Sequence, residues 1–187
     1  MIAPPPVLQG EKTRLRPLRE DDLPRLVRWF NTPEVRHWLH HSERPDATAE
    51  AVTERFITNS DAAANVHWII ETLDGRLVGT TELRLTLRAD RAEMGIAIHD
   101  KAQWSEGLGT DAVRLVVDYA FEELNLNRVE LTTDEDNVRA LRCYEKVGFV
   151  REGLLRQHRL LDGRFGNTVV MGILRDEWEP LERGDAE

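Results

Sequence analysis

The chain has 187 residues, enough for one domain with a proper core and short for two. Its 25 Lys and Arg against 34 Asp and Glu leave a net charge of −9, which disfavours nucleic acid as a partner, because a polyanion needs a basic face that releases counterions. At 41% hydrophobic and 32% charged, the composition is neither that of a membrane protein nor that of a disordered one.

No apolar run approaches the ~20 residues that span a bilayer. The opening Met1-Ile2-Ala3-Pro4-Pro5-Pro6 has no basic segment followed by an apolar stretch, so no signal peptide is expected. A single cysteine, Cys143, excludes an internal disulfide and any Cys-rich zinc site. The expectation is a soluble cytoplasmic protein with no membrane partner, and an acidic surface of this kind suits a cationic or amine-bearing partner.

In chain order, residues 1–10 read as a flexible, Pro-rich lead-in to a single domain over 11–187. Residues 12–18 form a short strand that Pro17 places at an edge or an end. Asp21-Asp22 open a helix with Leu23, Leu26, Val27 and Phe30 at helical spacing. Pro33 starts a short helix through Leu39, and a third helix carries Val52, Phe56 and Ile57 on one face. From Val66 the period becomes two: strands over 66–73 and 76–87 flank Asp74-Gly75, a two-residue hairpin signal, and a further strand covers 92–99. Thr80 and Glu82 share one face of the second of these strands. His67 and Trp68 read as the start of a core strand.

A long helix from Gly107 to Glu123 is apolar on two sides and so is expected between layers. Strand 128–133 follows, then a helix over 137–147 stopped by Gly148. The tail reads as a hairpin, 150–161 and 164–174, around Asp162-Gly163, with a helical end near 176–181. This order implies a mixed sheet with helices on both faces.

Two clusters carry chemistry. Trp104-Ser105-Glu106-Gly107-Leu108-Gly109-Thr110 precedes a helix N-terminus, where unpaired backbone N–H groups and the helix dipole favour an anion. Glycine lets the main chain approach a phosphate closely. No Walker lysine follows, and the glycines come after a hairpin rather than the first strand of a βαβ unit, so a phosphate here is held mainly by main chain. The second cluster, from Asn137 to Phe149, combines a helix-opening Asn, Tyr144, and Gly148-Phe149 closing the helix, with 137, 140, 144 and 147 on one face.

In these segments the sequence resembles the GNAT superfamily of acetyl-CoA-dependent N-acetyltransferases. Strand 94–98, the Gly107-Leu108-Gly109 loop and Asn137…Tyr144-Glu145-Lys146…Gly148-Phe149 look like its cofactor-binding core in the right order. Leu15-Arg16-Pro17-Leu18 with Glu20-Asp21-Asp22-Leu23, Arg91-Ala92-Glu93, and the tail with Glu152-Gly153, Asp162-Gly163 and Glu177-Trp178 resemble the RimJ/RimL-type branch, which includes spermidine and ribosomal-protein N-acetyltransferases. The Asn137–Phe149 segment is also similar to aminoglycoside acetyltransferases. One position departs: Trp104 stands where the family usually has Gln or Arg, which removes a cationic contact that Arg114 or Arg142 would have to replace.

The resemblance implies an α/β fold: a GNAT-like mixed, mostly antiparallel twisted sheet of about seven strands with helices on both faces. It implies acetyl-CoA as cosubstrate, bound by Ile96, Ala97 and Ile98 on the strand, by Trp104, Glu106, Gly107, Leu108, Gly109 and Thr110 in the loop, and by Asn137 and Tyr144. The acceptor is a primary amine on a small molecule or peptide, attacking directly in a ternary complex, and a homodimer accompanies the family likeness. Such a transfer must deprotonate the amine, offer donors to the tetrahedral oxygen, and protonate the departing thiolate.

Tyr144 is the candidate donor to the sulfur. Glu93 and Glu82 are the candidate bases, with Glu93 narrowly ahead. Cys143 reads as a structural thiol, because a thioester relay calls for a neighbouring His. His37, His40 and His41 have the spacing of a metal face but no carboxylate or fourth ligand at clear spacing, so no metal is expected. The alternative is a non-catalytic acyl-CoA-binding sensor or interaction module.

Overall fold

The computed structural model describes residues 5–38, 46–57, 65–86, 90–161 and 163–179. Eight strands make one sheet: β1 (Leu8–Gln9), β2 (Thr13–Arg16), β3 (Asn65–Thr72), β4 (Leu77–Leu85), β5 (Arg91–Ile98), β6 (Arg128–Asp134), β7 (Val150–Leu161) and β8 (Arg164–Leu174). Their order across the sheet is β1-β2-β3-β4-β5-β6-β8-β7, and only the β5–β6 pair is parallel. The helices are α1 (Leu23–Phe30), α2 (Pro33–Trp38), α3 (Ala49–Ile57), α4 (Leu108–Glu122) and α5 (Val138–Val147).

The period-two pattern separates two cores. On one face Trp68, Ile70, Leu83 and Met94 meet α4 and α5, which contribute Ala112, Val116, Leu141 and Tyr144. On the other, Ile69 and Leu77 meet Leu26, Phe30, Val35 and Val52 from α1–α3. Both apolar sides of α4 are buried: one faces the sheet, and the indole N–H of Trp178 reaches Asp118 at 2.8 Å. The β3–β4 turn closes at Asp74-Gly75, where Gly75 takes φ +84°, the left-handed region that glycine tolerates at no steric cost.

The mixed, mostly antiparallel sheet expected has eight strands, and the first lies inside the expected flexible lead-in. Leu8 and Gln9 pair with Leu15 and Arg14. The Pro6 carbonyl accepts the Trp68 indole N–H at 2.9 Å. Asp111, in the first turn of α4, accepts from the backbone N–H groups of Glu11, Lys12 and Thr13 at 3.1, 3.2 and 2.8 Å. A two-residue strand shows no alternation to read, and what holds it is a carboxylate a hundred residues away. The expected helical end over 176–181 is a single 3₁₀ turn, Arg175–Glu177, and residues 180–187 lie outside the described ones. Among the described residues no helix is long and apolar enough to cross a membrane.

His99, just past β5, ties α1 to the sheet. It is buried between the rings of Trp29 and Phe30, at 5.4 and 5.2 Å, and its Nε2 lies 2.9 Å from the Thr80 hydroxyl. Burial, with Arg55 adding to it, pushes its pKa down to about 3. An unfolded histidine titrates near ~6.5, so between there and the folded value the unfolded chain binds a proton that the fold refuses. Stability is unaffected above this window and falls as pH drops through it. From pH 7 to pH 5 the wild type is expected to lose about 2 kcal/mol more than His99→Gln in urea unfolding; equal losses would show that His99 is not held neutral.

Candidate active site

The cleft begins where two strands part. β5 and β6 are in register only at Arg91↔Arg128, Ala92↔Val129 and Glu93↔Glu130, yet β5 runs on to Ile98 and β6 to Asp134. Among the described residues, the edge of β5 facing β6 has no ladder partner past Glu93. A cleft of about 1480 Å³ occupies the gap, lined by residues of α4 and α5 and by residues of α1–α3.

At one lip, α4 opens on Gly107, whose φ of +83° is open to glycine without strain and leaves the first-turn N–H groups of the helix free of a side-chain cap. The loop is pinned from two sides. The Trp104 indole N–H donates to the Ile98 carbonyl at 2.8 Å, and Lys12 Nζ donates to the Glu106 carbonyl at 3.0 Å. Trp104, Gly107, Leu108, Gly109 and Thr110 line the cleft, as do Ile96, Ala97 and Ile98 of β5. Glu106 does not: it is exposed, and only its carbonyl is engaged. Asn137 also lines the cleft, and its side chain caps α5 by accepting from Ala140 N–H at 3.3 Å.

A further guanidinium stands at this lip, on a residue that the sequence pattern did not single out. Arg114 turns away, donating to the Lys146 carbonyl at 3.5 Å, while Arg142 lines the cleft. Arg139, two residues into α5, lays its guanidinium 3.6 Å from the centre of the Trp104 ring, joining the α4 loop to the start of α5. Burial lowers its pKa, and among the described residues no carboxylate faces it within ion-pair distance. An indole where a Gln or Arg is usual thus serves as the platform for an arginine. The signal was the aromatic itself, since a guanidinium stacks on an indole face.

Tyr144 lines the cleft from α5, its ring buried 5.9 Å from that of Phe149. Burial, and secondarily Cys143, pushes its phenol well above the ordinary value, so it stays protonated at neutral pH. Cys143 also lines the cleft. Burial pushes its thiol up, against weaker pulls from Thr110 and Lys146, and the Thr110 hydroxyl donates to its sulfur at 3.5 Å.

On the sheet face toward α3, His67, Glu82 and Gly95 are cross-strand neighbours on β3, β4 and β5. Glu82 is buried. Arg84 Nη1 donates to its Oε1 at 2.7 Å, Arg55 Nη2 to its Oε2 at 3.3 Å, and His67 Nδ1 lies 3.3 Å from Oε2. Burial pushes this carboxyl up, but Arg55, Arg84 and His67 together outweigh it and hold Glu82 below the usual carboxylate range. A β-carbon on Gly95 would come within 3.0 Å of Glu82 Oε1, so the absent side chain makes room for the carboxylate to lie across β5. Glu93 lines the cleft as well but is 45% exposed and paired with Arg84 Nη2 at 2.8 Å. His40 and His41 of the histidine triplet lie outside the described residues.

A family model described as an acetyltransferase (GNAT) domain matches residues 12–150. The chain belongs to the GNAT acetyltransferase family. It is 30% identical over 171 residues to the spermidine N(1)-acetyltransferase of Escherichia coli K12, covering 90% of this chain and 89% of that one. It is 29% identical over 155 residues to the aminoglycoside N(6')-acetyltransferase type 1 of Klebsiella pneumoniae, covering 77% of each. The crystal structure of the spermidine N-acetyltransferase from Vibrio cholerae in complex with CoA and spermine superposes with a TM-score of 0.78 at 25% identity, covering 88% of this chain and 96% of that one. The structure is therefore that of a GNAT acetyltransferase, a family that draws its acetyl group from acetyl-CoA.

The glycine-flanked lip suits the diphosphate of such a cosubstrate: an uncapped helix start at left-handed Gly107, with a guanidinium beside it. Gly107→Ala places a β-carbon in a strained backbone and 3.1 Å from Lys12 Nζ. It is expected to cost about 1–2 kcal/mol in chemical unfolding and to weaken acetyl-CoA binding in calorimetry. A variant with unchanged stability and affinity would show that the backbone at this residue is not the constraint described.

Proposed function

We propose that the protein transfers an acetyl group from acetyl-CoA to a primary amine by direct attack, both substrates being held together in the one cleft. The observation that carries this reading is the continuity of that cleft, which reaches from the Gly107 lip through the β5–β6 gap to the face beneath α1–α3. Acetyl-CoA supplies the thioester. Arg139 and the N–H groups at the start of α4 hold its diphosphate, with Trp104 fixing the guanidinium in place. The unpaired N–H groups of β5 past Glu93 donate to the pantetheine arm and polarise the carbonyl. Tyr144 gives its proton to the departing sulfur; a phenol kept protonated by burial is in the form this requires.

Glu82 is the carboxylate that draws the acceptor's ammonium toward the carbonyl, in preference to Glu93. Glu82 is buried and lies across β5 at Gly95, whereas Glu93 is about half exposed and engaged with Arg84. Cys143 takes no part as a nucleophile, because its thiol is held protonated and its sulfur is engaged by Thr110. The acceptor is the amine of a polyamine, of an antibiotic or of a protein N-terminus; the relatives named for spermidine and aminoglycosides support the first two. The setting is cytoplasmic. The exposed Leu154, Leu155, Leu160 and Phe165 of β7 and β8 are the apolar surface that a homodimer would cover.

Thiol release from acetyl-CoA, screened against spermine, an aminoglycoside and N-terminal peptides, tests the reading. Tyr144→Phe is expected to leave acetyl-CoA affinity intact while kcat falls at least about tenfold. Glu82→Gln is expected to lower kcat by roughly a hundredfold and Glu93→Gln by less than about threefold. Acetyl-CoA binding with no thiol released by any amine, and no response to Tyr144→Phe, would instead mark a non-catalytic acyl-CoA-binding module.

A further inference from the structure

We propose that His67 takes the proton from the acceptor amine, with Glu82 holding its imidazole in place. This rests on the transferase reading above and adds a residue to it.

The imidazole is divided between two surroundings. Nδ1 lies 3.3 Å from Glu82 Oε2. The ring, only 8% exposed, packs 5.4 Å from that of Phe56 and lines the cleft. No hydrogen-bond partner engages Nε2 among the described residues. Nε2 is not a sealed interior atom: it is without a partner yet keeps accessible surface, on a side chain that lines the cleft. An imidazole oriented by a carboxylate through one nitrogen presents the lone pair of the other, the arrangement by which a carboxylate fixes a histidine base.

The chemistry separates His67 from Glu82 as proton acceptor. Two guanidinium groups hold Glu82 below its ordinary range, which makes it an even weaker base toward an amine near ~10 than an ordinary carboxylate is. An imidazole starts from ~6.5, nearer the amine than a carboxylate does. Burial pushes His67 down and Glu82 opposes it, while Arg55 on α3 and Arg84 on β4, the other charged groups facing it, push it down further. The ring is therefore neutral at pH 7 and able to accept.

In the step, the N–H bond of the bound ammonium breaks and its electron pair stays on nitrogen, ready to attack. A bond forms between the proton and Nε2. The imidazolium so made keeps its Nδ1–H toward Glu82, and later returns the extra proton to solvent. Glu82 carries the ion-pair partner for both charged states, first the ammonium and then the imidazolium, and remains a carboxylate throughout.

Isotope-edited histidine NMR on the wild type, read beside the pH dependence of kcat at saturating acetyl-CoA and amine, tests this. The His67 titration is expected below ~6.5 and coincident with the acid limb of kcat, and in Glu82→Gln both are expected to move to lower pH together. His67→Gln is expected to lower kcat by roughly a hundredfold with acetyl-CoA affinity unchanged, and His67→Ala to recover activity in added imidazole. A kcat within about twofold of wild type in a folded His67→Gln, or a His67 titration that departs from the acid limb, overturns the proposal. If the variants do not fold, the wild-type comparison decides alone. A wild type that binds acetyl-CoA and acetylates no amine brings down the transferase reading and this proposal together; turnover unaffected by His67→Gln brings down this proposal alone.

Discussion

Beyond Glu93, β5 leaves β6 while staying paired to β4 over its whole length. Backbone N–H and C=O groups inside a protein need partners, and a strand that parts from its neighbour exposes a row of them in the middle of the sheet. Covering them with protein would close the sheet; leaving them open makes a slot whose walls are already polar and already spaced for an extended amide-bearing chain. The helices are arranged about this slot. α4 and α5 flank it on one face, each starting beside it, and α1–α3 cover the other, so a thioester entering between the strands is offered to two chemically different surfaces.

Those surfaces differ in how they treat charge. On the α5 side a phenol and a thiol, Tyr144 and Cys143, are both pushed upward by burial and both kept neutral. On the α3 side Glu82 is buried yet ionised, at the cost of committing Arg55 and Arg84 to it. Glu82 is the buried member of this cluster, while Arg55 and Arg84 are 38% and 41% exposed, so solvent screens part of the attraction that keeps it ionised. A proton donor facing one side of the slot and a proton acceptor facing the other is the polarity that transfer from thioester to amine needs. Gly95, by having no side chain, lets the acceptor side reach the strand.

How much of this the sequence disclosed depends on the range of the interaction. Segments whose chemistry is local were legible: the Asp74-Gly75 hairpin, the left-handed Gly107 and Gly148 at helix ends, the Asn137 cap, and the β7–β8 hairpin, whose bounds match the reading. The resemblance in the α4 loop and in α5 brought most of the lip residues with it, Glu106 excepted. What escaped depends on register and long-range contact. Leu8–Gln9 is tied down from both sides by distant residues, Trp68 at the Pro6 carbonyl and Asp111 at the backbone of residues 11–13. Arg139 matters through a ring more than thirty residues earlier in the chain. His67 reads as a core residue until β3 and β4 are aligned, at which point it faces Glu82. That Glu82 is buried while Glu93 is 45% exposed is something alternation along a single strand does not reveal.

A crystal structure with acetyl-CoA bound tests the central claim most directly. On this account the pantetheine arm lies between β5 and β6 past residue 93, with the thioester carbonyl about 3 Å from a β5 backbone N–H. The sulfur then lies on the Tyr144 side and the acetyl group toward Glu82. A cofactor seated outside the gap, or a sulfur beyond reach of the Tyr144 hydroxyl, would contradict the account.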